Sequence, residues 1–158
     1  MYLHIMVPLD GSELAECVLP HVNAMARLLK GKEKISLVRV VPPLHLYEGT
    51  ESSLPPEERK QLEADGVRVA KDYLEQVVTK LNLNQVTVTT EVLSGQAAEK
   101  LNEFIENNGV DLIIIATHGR SGIGRWFAGS TADKLIRSAS VPVLVVRPPQ
   151  SPVSPSQD

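Results

Sequence analysis

Five short runs of β-rich, mostly apolar residues divide the chain: LHIMVPL (3–9), KISLVRVV (34–41), QVTVTTEVL (85–93), DLIIIAT (111–117) and VPVLVVR (141–147). A segment that can hold a helix lies between each run and the next. Strands separated by helices run parallel, because a parallel pair needs a long return connection, and that crossover is right-handed. The expected fold is therefore α/β: a doubly wound, five-stranded parallel sheet with helices on both faces. The most apolar run, 111–117, suits an interior strand, and the more polar 85–93 suits an edge.

The intervening segments carry helical periodicity. Leu14, Val18, Val22, Met25 and Leu29 form one apolar stripe, interrupted by Pro20, which implies a kink or a helix start near Leu19. A long helix ending near Leu81 is expected to turn Leu62, Val69, Leu74, Val77 and Leu81 inward. Ala98, Leu101, Phe104 and Ile105 mark the next helix, closed by Asn107-Asn108-Gly109. Ser130 or Thr131 can cap a last helix running through Ser138. Residues 42–56, with four prolines, read as a long loop of the kind that often carries function. The Pro- and Ser-rich residues 149–158 are expected to be a disordered tail, leaving 1–148 as one domain.

Composition removes several functional classes. With 42% hydrophobic and 22% charged residues the chain is ordinary globular material, and a net charge of −3 argues against a nucleic-acid binder. Cys17 is the single cysteine, so no internal disulfide or cysteine metal cluster is available; it is expected to be a small buried apolar residue. His4, His21 and His45 are scattered without metal-ligand spacing. No run approaches the roughly 18 apolar residues of a membrane span. MYLHIMVPLDG lacks the layout of a signal peptide and reads as a first strand, so a cytoplasmic protein is expected.

In an open α/β sheet a ligand sits beyond the carboxyl ends of the strands, where strand order reverses. The richest such segment is ATHGRSGIGRWFAGS (116–130), which leads from an apolar strand into a helix N-terminus at Gly129-Ser130-Thr131. Free N–H groups and the helix dipole make that terminus an anion site, and glycines allow close approach. A Walker loop does not fit, because Gly119-x4-Gly124 is followed by Arg125-Trp126 rather than Lys and Ser or Thr. The dinucleotide pattern also fails, at Phe127. Asp10 precedes Gly-Ser and could simply cap a helix. It cannot serve as a response-regulator aspartate, since no second acid adjoins it and the last strand ends in Arg147. Arg120 has the guanidinium that pairs well with phosphate, and His118 is a further candidate contact.

These residues resemble the universal stress protein family. Its nucleotide-binding members carry Gly, two residues, Gly, nine residues, then Gly and Ser or Thr between the fourth strand and fourth helix. Here Gly119, nine residues and Gly129-Ser130 match, with Ala116 in place of the first glycine. VPLDGS (7–12), RVVPP (39–43), THGRSG (117–122) and VPVLVVRP (141–148) extend the resemblance over about residues 1–148. It implies a Rossmann-like sheet of order 3-2-1-4-5. It also implies adenosine held by Asp10 and the backbone of Val40, and phosphates held by Gly119, Gly129 and Ser130. Pro8, Leu9, Ala116 and Thr131 flank these positions and complete the candidate site. The implied ligand is ATP, or ADP or AMP, with or without magnesium. The family commonly dimerises through the last strand, here 141–147. No nucleophile–base pair and no pair of carboxylates suited to hydrolysis is present, which favours binding and sensing over catalysis. The expected function is a cytoplasmic, dimeric, ATP- or ADP-binding sensor or regulator. A nucleotide-free interaction protein of the same family and a weak ATPase are the alternatives.

Overall fold

The computed structural model describes residues 2–29, 31–43, 55–117 and 130–148. The elements follow the expected alternation: β1 (His4–Pro8), a 3-10 turn (Ala15–Val18), α1 (Leu19–Ala26), β2 (Lys34–Val41), α2 (Pro56–Leu81), β3 (Thr87–Ser94), α3 (Ala97–Asn108), β4 (Leu112–Ala116), α4 (Ser130–Ser138) and β5 (Val143–Val146). The strands form one parallel sheet in the order β3-β2-β1-β4-β5. Strand β1 is thus central, and β3 is an edge, as its polarity implied.

The two-residue period of a strand sends alternate side chains to opposite faces, and here both faces are buried. Ile5, Val7, Ile35, Leu37, Leu112 and Ile114 meet Val18 of the 3-10 turn, Val22 of α1, and Leu74 and Val77 of α2. Met6, Val38, Ile113 and Ile115 meet Leu101, Phe104, Ile105 and Leu135 of α3 and α4. Cys17 is half-buried and packs against the first of these layers, where burial pushes its thiol pKa up and keeps it protonated.

The chain turns into α1 at Leu19, with Pro20 in the first turn, where its missing N–H costs nothing. Helix α2 departs from the expected inward face. Ala70, Leu74, Val77 and Leu81 are buried, but Leu62 is 47% exposed and Val69 55% exposed. A 26-residue helix spans about 39 Å at 1.5 Å per residue, longer than the eight-residue strand it crosses, so its first turns overhang the sheet. Val69 is one residue, or about 100°, away from the Ala70 stripe. Helix α4 already includes Ser130, so neither Ser130 nor Thr131 stands at the capping position. Of the loop 42–56, residues 44–54 also lie outside them, as does the tail from 149.

Two helices end on left-handed residues. Gly109 closes α3 at φ 63°, as Asn107-Asn108-Gly109 implied, and Asn82 closes α2 at φ 46°, its amide donating to the Val78 carbonyl at 3.2 Å. Asparagine tolerates this conformation, but glycine adopts it without a Cβ penalty. Asn82→Gly is therefore expected to stabilise the fold by about 0.5 kcal/mol, read as a higher urea midpoint at unchanged slope.

Candidate functional site

Successive crossovers leave β1 and β4 in opposite directions, so the switch point lies between their carboxyl ends, at Pro8 and Ala116. Leu9 extends the pairing by one residue, its amide donating to Val38 O at 2.9 Å, and is itself buried. The chain then turns at Asp10, which is exposed. Its Oδ1 accepts from the Ser12 amide at 2.8 Å and the Ser12 hydroxyl at 2.6 Å, while Ser12 Oγ accepts from the Ala15 amide at 3.1 Å. Asp10 therefore organises the turn with one oxygen, and Oδ2 has no bond among the described residues. The capping and ligand-binding readings of Asp10 are compatible, since they use different oxygens.

Across the sheet, Ala116 ends β4 opposite Val146, and the Thr117 amide donates to Val146 O at 2.9 Å. Ala116 lies in extended strand, and among the described residues Asn82 alone has positive φ without being glycine. The alanine methyl at the family's first glycine position therefore introduces no backbone strain.

On the α3/α4 face a cleft of about 240 Å³ opens at the same edge, with Val40, Gly95, Gln96, Ala97, Thr131 and Lys134 among its lining residues. The N-termini of both α3 and α4 meet it. Gln96 stands at the capping position of α3 without a side-chain cap bond, so its side chain satisfies none of that helix's first-turn N–H groups. Gly95 forms the turn into α3: at φ +142° it adopts a conformation rare for other residues, and its amide donates to Val41 O at 3.1 Å. A second hollow, about 370 Å³, lies at the opposite end of the sheet between Asn23, Arg27, Asn82 and Gln85. It contains none of the candidate residues.

The structure thus gathers Pro8, Leu9, Asp10, Val40, Ala116 and Thr131 at one edge, with Val40 and Thr131 lining one cleft. His118, Gly119, Arg120 and Gly129 lie outside the described residues, and of Ser130 only its place at the head of α4 is given. Gln96 and Lys134 were not singled out from the sequence. The signal for Gln96 was the Ser94-Gly95 strand end, which has the same strand-to-helix character as the loop at 116. Lys134 had none, since an exposed lysine on a helix looks like any solvated charge.

A sequence profile of the universal stress protein family matches residues 1–147. The chain belongs to that family. Universal stress protein MJ0531 of Methanocaldococcus jannaschii is 30% identical over 151 residues, covering 95% of this chain and 85% of that one. The solved structure of MJ0577 superposes with a TM-score of 0.78 at 29% identity, covering 96% of this chain and 99% of that chain. More distant members of the universal stress protein fold include the Archaeoglobus fulgidus protein in complex with dAMP, at 20% identity and TM-score 0.61 over 91% of this chain and 97% of that one. An Arabidopsis thaliana family protein with AMP bound, at 15% identity, also has a TM-score of 0.61, over 92% of this chain and 91% of that one.

Proposed function

We propose that this universal stress protein binds an adenine nucleotide, ATP or ADP, across the carboxyl ends of β1, β2 and β4, and acts as a dimeric sensor or regulator. The observation that carries the reading is the cleft joining Val40 to Thr131 at the edge where Asp10 Oδ2 has no bond among the described residues. Asp10 would take the ribose, the Val40 backbone the adenosine, and the N-terminus of α4 the phosphates, since unpaired N–H groups and the helix dipole favour anions there. Where magnesium accompanies the nucleotide, it neutralises phosphate charge. Dimerisation through the last strand is supported by Leu144 and Val145, 38% and 37% exposed on β5 at the sheet edge, which a second copy would cover. We place the protein in the cytoplasm.

The test is calorimetric titration of ATP into the full chain after stripping of carried-over nucleotide. Saturable binding below about 1 mM is expected, the range of ordinary cellular ligand affinities. Gly129→Val is expected to abolish it with the circular dichroism unchanged. A folded wild type that takes up no nucleotide at millimolar ATP would leave the second reading, a nucleotide-free interaction protein. Ala116 at the family's first glycine position is the feature that favours that alternative.

A further inference from the structure

A glycine, a cation and an aromatic ring are packed beneath the Asp10 turn. Gly11 has φ +90°, and a Cβ placed on it would stand between 3.0 and 3.2 Å from three atoms of the Arg39 guanidinium. Arg39 extends from β2, two residues beyond Leu37 and therefore on the α1/α2 face. Its guanidinium carbon lies 5.1 Å from the centroid of the Tyr73 ring of α2, cation–π range. Tyr73 in turn packs against the buried core of that face. Burial, then the charges of Glu16 and Asp10, hold the Tyr73 hydroxyl well above the usual phenol range, and Arg39 opposes them. Arg39 is thus in contact with the Tyr73 ring on one side and close beneath Gly11 on the other. Glu16 is engaged by Lys80 at 2.7 Å, whereas Arg39 forms no ion pair among the described residues.

We propose that Arg39 is a positioning residue for nucleotide binding: wedged between Gly11 and the Tyr73 ring, it sets the height and orientation of the turn that presents Asp10 to the nucleoside. The inference rests on the nucleotide reading above and adds a residue on the face opposite α4. Leu135 places α4 on the other layer of the core, so Arg39 is separated by the sheet from the helix terminus assigned to the phosphates. Its effect should therefore fall on the nucleoside end of the ligand. A planar guanidinium fills the flat space under a glycine; an ammonium supplies charge without that shape.

The experiment compares AMP and ATP affinities of wild type, Arg39→Ala and Arg39→Lys in the full chain. Arg39→Ala is expected to weaken both ligands about tenfold, with the ATP-to-AMP ratio unchanged, and Arg39→Lys to recover only part of the loss. Wild-type affinity in Arg39→Ala overturns the proposal. So does a loss that grows with phosphate number, because that marks a long-range field acting on the phosphates. If Arg39→Ala does not fold, Tyr73→Leu removes the support while keeping the cation, and the same uniform loss is expected. If the wild type binds no nucleotide, the functional reading fails by itself. Amide exchange at Gly11 and Ser12 then tests the positioning: faster exchange in Arg39→Ala supports it, and unchanged exchange overturns it.

Discussion

Leu74→Ala is expected to destabilise the protein by about 3 kcal/mol, while Leu62→Ala on the same helix stays within about 0.5 kcal/mol. Leu74 is fully buried and meets the β1 and β2 layer, so truncation removes apolar contact and leaves a cavity that close-packed neighbours only partly fill. Leu62 lies in the overhanging part of α2, where its side chain already faces water. For a domain of this size the first variant should melt roughly 6–12 °C below wild type and the second beside it. Equal losses at the two positions would mean that the amino-terminal half of α2 is packed in solution.

The second large effect belongs to His4. Its ring is buried at the start of β1, with Nδ1 2.9 Å from the Asn108 carbonyl oxygen at the end of α3 and Nε2 2.8 Å from Ser36 Oγ. A carbonyl only accepts, so the neutral ring donates from Nδ1 and accepts at Nε2; the Ser36 hydroxyl then accepts from Thr89 across 2.9 Å. Three strands and a helix end are thereby tied through one imidazole, which also meets the Phe104 ring edge-on at 6.3 Å. His4→Ala removes a partner from the buried Ser36 hydroxyl and from the part-buried Asn108 carbonyl, at an expected cost of about 2–3 kcal/mol. Chemical denaturation measures that cost. Ser36→Ala in the same background should add less than it does alone, by about 1 kcal/mol, because the two changes remove a shared bond.

His4 also shows the limit of reading a chain linearly. In sequence it is a histidine at the edge of an apolar run, without metal-ligand spacing, and nothing nearby names a partner. Ser36 and Asn108, which complete its bonds, lie 32 and 104 residues further along the chain, and only sheet pairing and helix packing bring them to it. Arg39 is similar: its alternation with Ile35 and Leu37 assigns a face, but the space under Gly11 exists only once β1 and β2 are paired. The same holds for Lys134, whose place in the cleft depends on how α4 docks beside α3.

Local rules were sufficient elsewhere. The turn at Asp10-Gly11-Ser12 and the closing glycine of α3 each follow from the chemistry of two or three adjacent residues, and Pro20 left a kink or a start near Leu19, of which the structure has the start. The burial of DLIIIAT follows from its apolarity alone. Leu62 failed that reasoning because helical periodicity tells which way a side chain points, and burial also needs something for it to point at.

By itself, then, the sequence determined the alternation of strands and helices, the parallel sheet this forces, the family, and the strand ends at which a ligand can sit. The family rests on the resemblance of its motif residues, and the others on short-range geometry or on the side-chain period of a single element. The tertiary structure decided which half of α2 is covered, what holds His4, and which residues other than the motif stand around Val40 and beneath Asp10. Those depend on distances between elements far apart in the chain, set by packing two helical layers onto one sheet.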